Sequence, residues 1–348
     1  MGETLVAELG LSARLAGQGD TAGIADQSGN EWRIAPTGAA QAEIAIDSHA
    51  TERTTRRIDQ PDRCLKCRSV HPSLLPMTQT PLTDRPALIR NRLRAARAPA
   101  LFLHEVAADE IEDRLAVVNK SFTAPAVVTG FPEFWQARLP ETRVVADDDT
   151  LALEPGAHDL VIHAMCLHWA SDPVGQLIQM RRALRPDGLM LGALLGGGSL
   201  QELRAALAQA EADVTGGLSP RILPMGEIRD LGALLQRAGY TLPVADRLPL
   251  SVEYRDPLHL MHDLRAMGET NAMSARPRRM MRRSVLNRAC DIYAREFGAG
   301  AGRIPATFEM IFLTGWSPDE SQPQPLRPGS AKARLADALG AEEKPLKD

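Results

Sequence analysis

Four short apolar runs, Ala126-Val-Val-Thr129, Arg143-Val-Val-Ala146, Asp159-Leu-Val-Ile-His-Ala164 and Leu189-Met-Leu-Gly-Ala-Leu194, alternate with stretches of helical periodicity. This alternation constrains the chain strongly, because neighbouring parallel strands need a crossover long enough to carry a helix, and such crossovers are right-handed. It predicts an α/β fold with a doubly wound, mostly parallel sheet and helices on both faces.

Local punctuation places the helices. Asp172-Pro173 is an N-cap followed by proline at the first helical position, opening a helix that runs to Leu184, and Arg185-Pro186-Asp187-Gly188 reads as its stop and turn. Ser199 with Glu202 three residues on reads as a capping box opening a helix to about Val214. A helix over Gly226 to Ala238 ends at Gly239, and a strand from Leu248 to Tyr254 follows. Helices from Pro257 to Met267 and Arg283 to Phe297 precede a last strand from Ala306 to Gly315. Two helices, Arg85 to Arg97 and Glu105 to Val118, precede the first run.

The ends differ in character. Residues 1–76 are rich in Gly, Ala, Thr, Asp and Arg with weak periodicity, which predicts a disordered extension and leaves Met77 as a candidate start of translation. The division expected is this extension, N-terminal helices over 77–122, a central domain over 123–316 and a mobile tail over 317–348. Within the extension, Cys64-Leu-Lys-Cys67 with nearby His71 is half a zinc site without a second pair, so no metal is expected. Of the four cysteines, Cys166 and Cys290 lie alone in apolar or helical patterns and are expected reduced and mostly buried.

A net charge of -4 from 40 basic and 44 acidic residues excludes a global field that would draw the chain onto nucleic acid or an anionic surface. Local contacts stay open: Arg90, Arg92, Arg94 and Arg97, and the run Arg276-Pro-Arg-Arg279 with Arg282 and Arg283, suit phosphate or an acidic partner, or simply a solvated face. Without interleaved aromatic residues, no nucleic-acid partner is expected. No apolar run approaches the roughly 20 residues of a transmembrane helix, and no basic stretch leads into an apolar core at the N-terminus. Cytoplasm is the expected compartment.

The segment Ala157-His-Asp-Leu-Val-Ile-His-Ala-Met-Cys-Leu-His-Trp-Ala-Ser-Asp-Pro173, then a helix and Leu184-Arg-Pro-Asp-Gly188, resembles the middle motifs of class I S-adenosylmethionine-dependent methyltransferases. Ala193-Leu-Leu-Gly-Gly-Gly-Ser-Leu-Gln-Glu-Leu-Arg204, Gly216-Gly-Leu-Ser-Pro220, Asp263-Leu-Arg-Ala-Met-Gly-Glu-Thr-Asn271 and Pro305-Ala-Thr-Phe308 are similar to the methyltransferase-like assembly factors of respiratory complex I. A more distant likeness is to the biotin-pathway malonyl-carrier methyltransferases. The resemblance implies a Rossmann-like fold, S-adenosylmethionine as cofactor, a protein or small carboxylate substrate, and a complex I subunit or small molecule as partner.

The resemblance also assigns sites. In the family the cofactor crosses the carboxyl ends of the strands, with a glycine-rich turn after the first strand and an acid after the second. Here only Gly130 of Gly130-Phe-Pro-Glu-Phe-Trp135 matches that turn. The run Arg143 to Ala146 resembles the family's third strand, because the linker before it is too short for a full helix and strand, so Asp147, Asp148 or Asp149 would serve near the adenine. His163 and Leu167 complete the candidate cofactor set, although His163, inside an apolar strand, also reads as a satisfied core histidine. His168 and Trp169 are the catalytic candidates, the imidazole orienting a nucleophile or accepting a proton; alternatively Trp169 packs the next helix and His168 caps a strand end. Glu269 and Asn271 are candidates for substrate binding, unless Gly268 is a helix C-cap with Asn271 in its loop. The rival to an enzyme is a non-catalytic assembly module that binds no S-adenosylmethionine, a reading that the rings of Phe131 to Trp135 favour.

Overall fold

The computed structural model describes residues 22–25, 31–34, 81–298 and 302–323. It divides into two compact units, one holding residues 102–197, 226–247 and the chain from 311, the other the chain to 101 with 198–225 and 248–310.

The first unit is built on the predicted strands, β3 (Pro125–Thr129), β4 (Arg143–Ala146), β5 (His158–Ala164) and β6 (Leu184–Leu195). β4 pairs in parallel with β3, β3 with β5, and β5 with β6. The last strands β7 (Thr241–Tyr254) and β8 (Ile304–Trp316) extend the order to β7-β8-β6-β5-β3-β4. From β3 the chain goes first to one neighbour, β4, and then to the other, β5. That reversal puts a topological switch point at the carboxyl ends of β3 and β5, where open α/β sheets bind ligands.

Alternation along each strand decides which helix covers which face. Val128, Val161, Met190, Ile311 and Leu313 join Leu177 and Met180 of α4 (Pro173–Ala183) and Leu231 and Leu235 of α6 (Ile228–Arg237) in one core cluster. Val127, Ile162 and Leu191 are register partners of the opposite parity and are fully or almost fully buried. Against β3 and β6 pack α3 (Pro132–Arg138) and α2 (Phe102–Val118) respectively. The linker between β3 and β4 holds one short helix, α3 of 7 residues, and no strand, and β4 returns parallel to β3.

Asp172 caps α4 as the sequence predicts, its side chain accepting from Gly175 N at 2.8 Å. Arg185 to Gly188 is a bulge inside β6 rather than a turn before it. His158 faces Leu184 and Leu160 faces Leu189, and Lys120 Nζ pins the excursion by donating to both the carbonyl and the carboxylate of Asp187 at 2.6 Å. The predicted stop of α6 is a Schellman motif: Gly239 takes φ 83, Tyr240 N donates to Leu235 O and Gly239 N to Gln236 O. The tail after Ser317 is docked at its start, where Gln322 accepts from Thr241 Oγ1 at 2.7 Å and donates to Asp187 Oδ1 at 3.1 Å. The rest of the expected mobile tail lies outside the described residues.

In the second unit, α5 (Gln201–Thr215) buries Leu203, Ala206, Leu207 and Ala210 on one stripe. It packs on α8 (Arg283–Phe297), whose stripe is Val285, Ala289, Ile292 and Tyr293. α1 (Arg85–Ala95) packs on α7 (Pro257–Ala266). Ser199 does not open a capping box. α5 begins after Leu200, while Ser199 Oγ donates to Glu309 O and accepts from Glu309 N, and Glu202 accepts from Thr307 Oγ1 at 2.5 Å. Both side chains are drawn to β8 and away from the helix's own amides.

Of residues 1–76 the structure describes two short strands. β1 (Ala22–Ala25) and β2 (Glu31–Ile34) form an antiparallel hairpin, and Ile34 of β2 pairs with Val252 of β7. Composition hid the short alternating run Glu31-Trp-Arg-Ile34. The remainder of that segment, with Cys64, Cys67 and His71, lies outside the described residues.

Candidate functional site

The switch point is closed on one side by aromatic rings. β3 ends at Thr129, whose Oγ1 accepts from Phe131 N at 3.1 Å, folding the chain sharply over Gly130 into α3. The Phe131 ring meets His104 of α2 edge-on at 4.8 Å, and Phe134 lies 5.9 Å from the same imidazole. Trp135 is fully buried and donates its indole N–H to His104 Nδ1 at 3.1 Å. The residues after Gly130 are therefore an interlocked ring cluster, where a Gly-x-Gly turn would leave open backbone. The rings of Phe131 to Trp135 stand out in the sequence, but His104, their partner, was not singled out, being a lone residue on a helix.

On the other side of β3 the strand that resembles the family's third takes the place directly beside the first. Val127 pairs with Val144 and Thr129 with Ala146, with no strand between. Asp147 thus follows the carboxyl end of the strand adjoining β3, which is where dinucleotide folds place the acid that holds a ribose. It is buried, at 4% exposure, whereas Asp148 is exposed. Two glutamines of α4 clamp the acidic loop: Gln176 Nε2 donates to Asp148 O at 3.0 Å, Gln179 Nε2 to Asp149 O at 2.9 Å, and Gln179 Oε1 accepts from Leu151 N at 2.8 Å. Sequence reasoning missed both, because two glutamines three apart on a helix look like any polar face.

β5 carries the next candidates. His163 is fully buried, with Nε2 2.8 Å from Gln176 Oε1 and Nδ1 3.4 Å from Cys166 Sγ, so both ring nitrogens have partners inside the protein. That is the satisfied core histidine, not a ligand-facing one. Leu167 belongs to the core cluster below the strand tips. Met165, with φ 55, turns the chain sharply after β5, and its N–H donates to Ala193 O at 2.8 Å. The following 3-10 turn, Leu167–Trp169, carries His168 and Trp169, both buried. His168 Nδ1 accepts from Leu195 N at 3.5 Å, which ties the imidazole to the end of β6. The structure brings Gly130, Asp147 and His168 to the same ends of adjoining strands.

Glu269 and Asn271 belong to the other unit. Gly268, at φ 78, closes α7 in a second Schellman motif in which Glu269 N donates to Leu264 O and Gly268 N to Arg265 O. Asn271 Nδ2 donates to Pro220 O at 2.9 Å and its Oδ1 accepts from Met273 N at 3.0 Å. Both ends of the amide are thus engaged in holding the loop, as the C-cap alternative anticipates.

A buried acid, Asp147, and Gly130 with rings beyond it thus lie at the strand ends that an implied cofactor would have to reach. Among the described residues no helix is long and apolar enough to cross a membrane.

A family described as a methyltransferase domain matches residues 106–192. The chain is 37% identical over 199 residues to arginine-hydroxylase NDUFAF5, mitochondrial, of Danio rerio, covering 57% of this chain and 62% of that protein. To the Mus musculus protein of the same name it is 34% identical over 233 residues, covering 65% of this chain and 68% of the relative. A malonyl-[acyl-carrier protein] O-methyltransferase of Laribacter hongkongensis is 35% identical over 182 residues, 52% of this chain and 58% of that enzyme. The chain thus spans under two thirds of the length of the Danio rerio relative.

Proposed function

The chain belongs to the family of arginine-hydroxylase NDUFAF5 and carries a methyltransferase domain, and on that premise we propose that it is an S-adenosylmethionine-dependent enzyme acting on a protein side chain. The match reaches 68% of the mouse NDUFAF5 protein against 58% of the malonyl-carrier enzyme, which favours a protein side chain over a small carboxylate. A place in respiratory complex I assembly, with one of its subunits as partner, is part of the same proposal.

The observation that carries it is Asp147, buried after the strand that adjoins β3. In this reading Asp147 accepts from the ribose hydroxyls, and the backbone at Gly130 lies along the methionine end. When bound, the sulfonium supplies an electrophilic methyl group. The chain's own contribution is placement, because a nucleophile held in line needs little further help. His168, held by Leu195 N at the end of β6, is placed to orient an acceptor. Trp169, 5.9 Å from it, packs the imidazole in place.

A second reading, an assembly module that binds no nucleotide, is favoured by the His104, Phe131, Phe134 and Trp135 rings beside Gly130. Calorimetric titration of the full chain with S-adenosylmethionine and S-adenosylhomocysteine separates the two. Saturable binding that Gly130→Trp abolishes supports the enzyme; absence of binding by both nucleotides sinks it and leaves the module.

A further inference from the structure

The turn after β3 has little to offer an anion. Of the two residues that follow Gly130, Phe131 spends its N–H on Thr129 Oγ1 at 3.1 Å, and Pro132 has none to give. Residues 130–137 hold a single charged side chain, the exposed carboxylate of Glu133. Arg138, just beyond, is bonded to Asp109 and Glu112. The open amides of a glycine-rich turn, or the free arginine that receives an anion elsewhere, are thus replaced here by something of another chemistry.

That replacement is π surface. Phe131 and Phe134 are each half-buried, and both rings stand T-shaped to the imidazole of His104, at 4.8 and 5.9 Å. An indole N–H can only donate, so His104 Nδ1, 3.1 Å from Trp135 Nε1, is the acceptor and the buried imidazole is neutral. No positive charge therefore sits inside the cluster. Trp135, fully buried and crossed with Phe134 at 5.5 Å, locks the rings in place by tying α3 to α2. Fixed rings with part of their surface uncovered, and a carboxylate beside them, attract a cation.

Resting on the reading that this switch point takes S-adenosylmethionine, we propose that Phe131, with Phe134 beside it, is the contact for the sulfonium, so that the chain selects a positively charged ligand centre by cation–π attraction. In that reading the methionine end lies along the backbone at Gly130, and Phe131 is the next residue. The rings that stand where a glycine-rich turn would be are then a device for holding an onium group and not an obstruction. S-adenosylhomocysteine, neutral at its sulfur, gains nothing from them.

The test is calorimetric titration of the full chain with three ligands: S-adenosylmethionine, S-adenosylhomocysteine, and sinefungin, whose protonated amine takes the place of the sulfonium methyl. Wild type is expected to bind the two cations about 2- to 30-fold more tightly than the neutral thioether. Phe131→Leu keeps apolar bulk without a π face. It is expected to erase that preference by weakening both cations, while the affinity for S-adenosylhomocysteine changes by less than about twofold. Phe131→Tyr keeps the ring and is expected to keep the preference. Thermal melts check that each variant is folded, and the preference of wild type is read on the unaltered chain whatever the variants do. Equal affinity of wild type for all three ligands, an equal loss of all three in folded Phe131→Leu, or a preference that this variant retains overturns the inference and leaves the cofactor reading standing. Binding of none of them removes the cofactor reading, and the sulfonium contact with it.

Discussion

The imidazole Nε2 of His163 lies 2.8 Å from the side-chain oxygen of Gln176. Because Gln176 Nε2 donates to Asp148 O at 3.0 Å, its oxygen must be the acceptor, so the proton of His163 sits on Nε2 and the Nδ1 lone pair faces Cys166 Sγ. One buried amide thereby joins β5, where the switch point lies, to the acidic loop after β4.

Gln176→Leu keeps the bulk but orphans the His163 N–H and the Asp148 carbonyl. A buried donor without a partner costs about 1–3 kcal/mol, so urea denaturation is expected to show a loss of that size. A change below about half a kcal/mol would mean that water or a rearranged side chain takes over the bond.

Ser199→Ala tests the corresponding tie in the other unit. Ser199 is fully buried and bridges both the carbonyl and the amide of Glu309, at 3.1 and 3.0 Å. Its loss is expected to cost roughly 1–3 kcal/mol, more than the cost typical of an N-cap removed from an exposed helix end, about 1 kcal/mol. Denaturant melts of Ser199→Ala and of Asp172→Ala, a true N-cap, compare the two directly.

These two serine and aspartate positions also mark what the sequence can disclose. Asp172 with Pro173 is a local device, complete within one helical turn, and it stands where its pattern puts it. Ser199 and Glu202 have the same local spacing, but Glu309 and Thr307, more than a hundred residues on, compete for them and win. The four central strands were legible because burial on both faces leaves nearly continuous apolar runs. That β4 adjoins β3 was not, since pairing depends on how a helix as short as α3 returns the chain, and linker length alone does not decide it. His168 and Asp147 could be found by position at strand ends, whereas the partners that hold the neighbouring loop, Gln176 and Gln179, look in the sequence like any polar helix face.

The Lys120–Asp187 pair sets a pH dependence. The ammonium of Lys120 holds the Asp187 carboxyl below its ordinary value of 3.8, helped by Gln322. A depressed carboxyl contributes stability that is fully present above the unfolded-state value and is lost as pH falls through the lower, folded one. Below about pH 4 wild type is therefore expected to lose stability that Asp187→Asn never had. Asparagine tolerates the left-handed backbone at φ 56, so the substitution isolates the charge. Both partners are about a third exposed, so the difference at neutral pH is expected to stay under about 1 kcal/mol. Melting curves of the two proteins that stay parallel through the acid range would remove the pair from the account.

Asp147 and Asp148 are adjacent in sequence and opposite in burial, which makes them a matched pair for the cofactor proposal. If the buried carboxylate accepts from the ribose, Asp147→Asn loses a charge-assisted hydrogen bond, about 1.5–3 kcal/mol, or a roughly ten- to hundredfold fall in affinity for S-adenosylhomocysteine. Asp148→Asn, on the exposed side of the same loop, is expected to change affinity by less than about twofold, since an exposed charge is screened. Calorimetric titration reads both, and an unchanged melt of each free protein separates a lost contact from a loosened loop. Were Asp148→Asn the damaging variant, the loop would present its second acid to the ribose and Asp147 would serve the fold alone. Equal affinity in both variants and wild type would remove the acidic loop from the nucleotide site altogether, and with it the argument that the strand beside β3 inherited the role of the one that is missing.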